Sequence, residues 1–404
     1  SVVLKTFESA VYRKRNKRND ESISVRQISP NHIDPKTQVL SNGNYSVLLA
    51  ENGMGFSKCD DIMLNRWRND PLRSDSGGHF LIRDGASVWS PALLPVNGAA
   101  SNYCTVYEPH KAAFSSNNED LSAAVDICVA PDFNGEIRRM TIINHGERQK
   151  ELEVGAFMEV CLAEQAEDAS HPAFVRLTVD ARLEDDILLF NRRPRPQKPE
   201  HWLYFSLIGP AKTRYCADRL IMPGRGADYA DAMRRPMLPN QNVESPIEPA
   251  ACGRMSFLLN PGESAVIELI MGYASNREQA ISDLHELTNS IPRLFDLAWS
   301  HAASAYRMAG IDMKMVDMYE SIISRLFIRH STEREHHGNS GLGIKGLWRL
   351  GISGDKPILL VKVRNTAQIR TVKALLKLSD YMDIKNCQAD ICLLYTSDAA
   401  DDKA

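Results

Sequence analysis

The 404-residue sequence has no C-x-x-C pair, no strong charge imbalance and no apolar run approaching the roughly 20 residues that a membrane-spanning helix needs. Each absence excludes a class of protein. The eight cysteines, at positions 59, 104, 128, 161, 216, 252, 387 and 392, stand singly, which argues against a zinc site or a disulfide framework and for reduced thiols in the cytosol. A formal net charge of −3 provides no general electrostatic grip on nucleic acid, so no nucleic-acid partner is expected. The one basic cluster, Arg13-Lys14-Arg15-Asn16-Lys17-Arg18, reads as a solvated terminus. His336 and His337 are adjacent, so their side chains diverge on any regular element, and Glu333-Arg334-Glu335 adds no third ligand at metal spacing. No metal and no organic cofactor are expected. No signal peptide opens the chain and no fixed-period repeat runs through it; the first residue is Ser rather than Met, so the natural N-terminus is expected to lie elsewhere.

What is present changes character along the chain. Residues 1–37 mix charge with few bulky apolar positions and are interrupted by Pro30 and Pro35, as a linker would be. Over 38–274 the pattern is strand, turn, strand. Leu152, Val154, Ala156, Met158 and Val160 alternate with largely polar neighbours, which predicts one apolar strand face. Its expected hairpin partner is 137–144, across His145-Gly146-Glu147-Arg148, and a second hairpin is expected around Asn260-Pro261-Gly262-Glu263. Repeated strands without a long helical period predict a large antiparallel β-sandwich. Trp67, Trp89 and Trp202 could stack on sugars, but aromatic filling between two sheets is the stronger reading. The segment Arg192-Arg193-Pro194-Arg195-Pro196 reads as an extended surface loop.

From about 275 to 330 the period is helical. Ser290 as cap and Pro292 in the first turn predict one helix, ended by Gly310. Met315, Met318, Tyr319, Ile322, Ile323, Leu326 and Phe327 form the stripe of a second. Residues 331–391 then hold a polar loop, the motif Leu347-Trp348-Arg349-Leu350-Gly351-Ile352-Ser353-Gly354-Asp355, a short apolar strand read as buried at 357–361, a helix over 366–382 and a further strand from 388. Polar groups on such a glycine-punctuated loop can converge on a ligand. From spacing alone, Arg349 and Asp355 could equally form a local ion pair, and Trp348 reads as core. After Ile391 the pattern fails, and 392–404 is expected to be a non-native tail.

The motif at 347–358 resembles the opening of the catalytic domain of cyclic β-1,2-glucan synthases and the inverting phosphorylases of glycoside hydrolase family 94. Ser41-Asn42-Gly43-Asn44-Tyr45, Gly53-Met54-Gly55-Phe56-Ser57, Arg66-Trp67-Arg68-Asn69-Asp70-Pro71 and His171-Pro172-Ala173-Phe174 are similar, in the same order, to that family's N-terminal sandwich. The resemblance covers roughly 38 to 391. It implies a mainly β protein with α-helices: a large antiparallel β-sandwich, a helical linker, then the truncated start of an (α/α)6-barrel catalytic domain.

The resemblance also implies the chemistry. Arg349 and Asp355 match the pair that holds the reacting glucosyl unit, and inorganic phosphate would be the co-substrate of the parent enzyme. The substrate would be a β-glucan or oligosaccharide. The general-acid Asp and the phosphate-binding residues have no matching positions, so no catalytic residue is expected here and the chain alone is expected to be inactive. The parent would be a synthase embedded in the inner membrane, with this part in the cytoplasm or on its cytoplasmic side, or a free-standing β-1,2-oligoglucan phosphorylase; a homodimer is compatible with either. A sandwich that binds carbohydrate or oligomerises without catalysis is the non-enzymatic alternative.

Overall fold

A computed structural model describes residues 25–29, 35–68, 76–96, 98, 100–194, 196, 199–222, 224, 228–236, 243–328, 343–363 and 368–395. The basic cluster at 13–18, the His336-His337 pair and residues 396–404 lie outside the described residues.

Two nine-stranded sheets pack face to face. The first runs β1 (Arg26–Ile28), β8 (Ser101–Glu108), β9 (Lys111–Asn118), β10 (Leu121–Val129), β11 (Gly135–Asn144), β18 (Ser264–Ala274), β15 (His201–Ile208), β14 (Ile187–Arg192), β13 (Val179–Glu184). The second runs β16 (Arg214–Asp218), β17 (Pro249–Leu259), β12 (Lys150–Glu164), β5 (Ile62–Asn65), β4 (Gly55–Cys59), β3 (Tyr45–Ala50), β2 (Thr37–Ser41). In addition β6 (Gly78–Asp84) pairs with β12, and β7 (Ser87–Trp89) with β6. Strand β1 falls inside the stretch read from sequence as linker. The main core lies between the sheets and includes Leu40, Trp89, Phe114, Met140, Val154 and Phe205. Trp67, Trp89 and Trp202 are all buried, in agreement with the packing reading.

Neither expected hairpin forms. β11 pairs with β10 and β18, whereas β12 pairs with β17, β6 and β5, so the chain crosses from one sheet to the other at 145–149. The Asn260–Glu263 turn likewise carries β17 of the second sheet into β18 of the first. Asn144, fully buried, joins the two crossings: its Nδ2 donates to the Arg148 and Leu259 carbonyls at 2.8 and 3.0 Å, and its carbonyl accepts from Gly262 N at 2.8 Å. Alternation tells which side chains face inwards; it does not tell which strand is the neighbour.

The far face of β12 is buried as well. Phe157 packs under a short helix, α3 (Tyr229–Arg234), while Glu153 is held by Arg83, Arg214 and Arg254. Two other short helices, α1 (Gln165–Ser170) and α2 (Pro172–Leu177), follow the end of β12.

Helix α4 (Arg277–Met308) begins thirteen residues before the expected Ser290 cap, and Pro292 lies in its interior. Asn276 is the cap, its side chain accepting from Gln279 N at 2.9 Å. Ala280, Leu284, Leu287, Ile291, Leu294 and Ala298 then bury one face against the outer side of the first sheet. Each buried Leu or Ile contributes about 1.5–3 kcal/mol, enough together to outweigh the interior proline's cost of roughly 3 kcal/mol. Helix α5 (Val316–Phe327) buries Val316, Tyr319, Glu320, Ile323 and Ser324; of the expected stripe, Met315, Tyr319, Ile322, Ile323, Leu326 and Phe327 pack into the core and only Met318 is exposed.

Last come α6 (Ile344–Trp348), β19 (Ile358–Val363), α7 (Ile369–Ile384) and β20 (Asp390–Tyr395), with β19 and β20 parallel as a strand–helix–strand unit allows. Two expectations are corrected here. β19 is half-exposed rather than buried, with Leu360 facing solvent, because among the described residues a single strand, β20, pairs with it. β20 runs through Cys392, Leu393 and Leu394 to Tyr395, so regular pairing continues past Ile391. Among the described residues no helix is long and apolar enough to cross a membrane.

Candidate functional site

The loop between α6 and β19 is shaped by two turns. Gly351 has φ 74°; its N–H donates to Trp348 O and that of Ile352 to Leu347 O, both at 3.1 Å. This helix ending requires a left-handed residue. Nothing lies within 4 Å of the place a Cβ would take on Gly351, so conformation rather than space demands glycine. Gly354 (φ 80°) makes the next bend, beside an Asp355 N to Ser353 Oγ bond of 3.3 Å.

Arg349 and Asp355 flank these turns and both are exposed. Among the described residues no ion pair joins them, so the local salt bridge that their spacing allowed does not form. Five guanidinium N–H donors and two carboxylate oxygens are presented to solvent, as hydroxyl recognition requires. Trp348, read from sequence as core, is 58% exposed; its Nε1 donates to the Ser353 carbonyl at 3.1 Å, which lays the indole across the turn.

A buried polar joint anchors the unit that carries this loop. Glu320 of α5, fully buried, accepts from Val39 N with both carboxylate oxygens at 3.2 Å and from the Tyr381 hydroxyl at 2.6 Å. Val39 lies on β2, the last strand of its sheet, so Glu320 satisfies an edge amide that would otherwise be buried without a partner. Burial raises the Glu320 pKa, against the nearby charges of Arg26 and Lys385 and the bonds from Tyr381 and Val39. Lys385, at the end of α7, places its ammonium over the rings of Tyr306 and Tyr381 at 5.0 and 5.6 Å. Its carbonyl accepts from Ser46 Oγ at 2.9 Å.

Comparison with known proteins assigns the framework. The family model described as the glycosyl hydrolase 94 supersandwich domain matches residues 20–290, more than half of the chain. The chain belongs to that family. It is 24% identical over 385 residues to the cyclic β-(1,2)-glucan synthase NdvB of Rhizobium meliloti (strain 1021), covering 90% of this chain and 14% of that protein. It is 23% identical over 222 residues to the solabiose phosphorylase of Paenibacillus borealis, covering 53% of this chain and 27% of that protein. The chain thus spans a small part of the length of either relative. Among solved structures, a bacterial glucoamylase complexed with acarbose overlaps 76% of this chain and 44% of that one at 8% identity, with a TM-score of 0.44.

Within this glycosyl hydrolase 94 chain the supersandwich acts as the platform on which the Arg349–Asp355 loop is mounted. Sequence reasoning missed the mounting. Glu320 appears only as a polar break beside the apolar stripe of α5, and Lys385 as one more surface cation. Their partners, Val39 and Tyr306, lie far away in the chain, so no local signal marks them.

Proposed function

We propose that the chain is the supersandwich, helical linker and first edge of the active site of a carbohydrate-active enzyme that performs inverting phosphorolysis or chain-length control on a β-1,2-glucan. The observation that carries this reading is the combination of a supersandwich with an exposed, glycine-turned loop on which Arg349 and Asp355 are unpaired among the described residues. In such a reaction a phosphate oxygen attacks the anomeric carbon and the glycosidic C–O bond breaks. Its electrons pass to the leaving oxygen, which takes a proton from a carboxylic acid. Arg349 donates to hydroxyls of the reacting unit and Asp355 accepts from them, fixing one pyranose. General acid and phosphate ligands are assigned to no residue here, so the 404-residue chain by itself is expected to be inactive.

Inorganic phosphate is the co-substrate in this reading and a β-glucan the partner. The match to NdvB favours a synthase with this part in the cytoplasm or on the cytoplasmic side of the inner membrane; the match to a phosphorylase favours a free-standing enzyme as the second reading. The test is steady-state kinetics of the full-length protein with Arg349→Ala or Asp355→Ala. Each is expected to lower kcat/KM by about 10- to 100-fold, the worth of a charged hydrogen bond to substrate. Unchanged kcat/KM in both variants would remove the loop from the substrate site.

A further inference from the structure

The Arg349–Asp355 loop follows directly on a side chain to which the proposed reaction gives no role. Of the five tryptophans, Trp67, Trp89 and Trp202 are buried and Trp299 is half-buried, whereas Trp348 is 58% exposed. Leu350, two residues on, is exposed as well, so core packing does not hold the indole. A hydrogen bond does. Trp348 Nε1 donates to the Ser353 carbonyl at 3.1 Å, across the turn that Gly351 makes with its φ of 74°.

Ser353 also reaches the other side of the loop. Its Oγ accepts from Asp355 N at 3.3 Å, so one residue ties the indole and the carboxylate-bearing residue to the same turn. Arg349 follows Trp348 directly, and the bond from Gly351 N to Trp348 O folds the chain back beside it. An aromatic ring, a guanidinium and a carboxylate are therefore exposed together on one short stretch.

An indole has a single polar atom, its N–H, and here that atom is already bonded. What remains open is ring face. Phosphate has no apolar surface to set against it, and a wholly apolar partner would strip water from Arg349 and Asp355 without replacing it. A pyranose carries both kinds of surface, C–H bonds on its faces and hydroxyls around its rim. With a face on the indole and its rim towards the guanidinium and carboxylate, it covers the ring and satisfies both charged groups. The bond to Ser353 sets the platform before the sugar arrives, which reduces the ordering cost of binding.

We propose that Trp348 is the stacking platform for the glycosyl unit that Arg349 and Asp355 hold. This rests on the reading of the loop as a substrate site and adds the group that would recognise the face of the sugar. The test is acrylamide quenching of tryptophan fluorescence in the full-length protein and its Trp348→Phe variant, whose difference isolates Trp348, with and without gluco-oligosaccharides of β-1,2, β-1,3 and β-1,4 linkage. A Trp348 open to the quencher in the free protein and shielded by saturating oligosaccharide is expected. In steady-state kinetics Trp348→Ala is expected to lower kcat/KM about tenfold, chiefly through KM, and Trp348→Phe to stay within about threefold of the unaltered protein. Leu350→Ala is expected to leave kcat/KM unchanged. Trp348 already shielded in the free full-length protein, no shielding by any of the oligosaccharides, or equal losses from Trp348→Ala and Trp348→Phe overturns the proposal. Shielding by an oligosaccharide of another linkage, with the same order of variants on that substrate, keeps the platform and counts against the β-1,2-glucan assignment instead.

Discussion

Arg254 is 2% exposed and satisfies two elements at once. Its Nε and Nη2 hold Glu153 at 3.0 and 2.7 Å, while Nη1 and Nη2 donate to the Ala232, Met233 and Arg235 carbonyls at 2.9–3.3 Å, at the C-terminal end of α3. A cation there complements the helix dipole and fills carbonyls that have no helical donor. Removing one partner of a buried pair strands the other, so Arg254→Met is expected to lower stability by about 3–5 kcal/mol in urea unfolding; a loss below ~1 kcal/mol would contradict this role. None of it was legible in the sequence. In the sequence the glutamates of β12 are only polar alternates to an apolar face, and the folded chain brings three arginines to Glu153. Cysteine behaviour was more legible: no disulfide joins any of the eight, and burial pushes the thiols of Cys59 and Cys161 up to about 12 and that of Cys216 to about 11. Native-state alkylation near neutral pH is expected to label the half-buried Cys104 and Cys392 and to spare the six buried cysteines until unfolding.

Among the elements, α4 departs most from what its sequence suggests, and α5 buries a carboxylate that its sequence does not mark. Pro292 and Ser290 form a plausible helix start, but the apolar positions Ala280, Leu284 and Leu287 continue the same face one turn after another, and packing on the sheet overrides the local signal. Pro292→Ala restores the missing N–H within α4 and is expected to stabilise the protein by up to about 3 kcal/mol, read as a higher urea midpoint; a lower midpoint would show that the proline serves the helix. In α5 the apolar stripe was legible, but the buried Glu320 beside it was not. Its folded pKa lies above the unfolded carboxylate value of about 4.3. The folded state therefore binds this proton more tightly, and the associated stability is complete below about pH 4 and lost as pH rises through the raised value. Glu320→Gln is expected to flatten that part of the stability profile. An unchanged slope would assign the pH dependence to other groups.

At the scale of the molecule, the order of sandwich, helices and strand–helix–strand unit was legible, because alternation, helical period and the 347–358 motif are local properties. Sheet assignment was not. The turns at 145–149 and 260–263 have the composition of hairpins, yet both cross between sheets, joined by Asn144, whose bonding depends on both crossings being present. The candidate loop was legible as a motif, but its openness was not. Trp348 looks like core in one dimension and lies on the surface in three. What the supersandwich supplies to the loop is a fixed position through Glu320, Tyr381 and Lys385, while the proposed reaction also needs a general acid, which is assigned to no residue of this chain. The most direct measurement is therefore NMR of the products when that protein is given a β-1,2-glucan and inorganic phosphate. Phosphate-dependent formation of α-glucose 1-phosphate, with none from the 404-residue chain alone, is the predicted result; the β-anomer, or glucan cleavage indifferent to phosphate, would contradict inverting phosphorolysis.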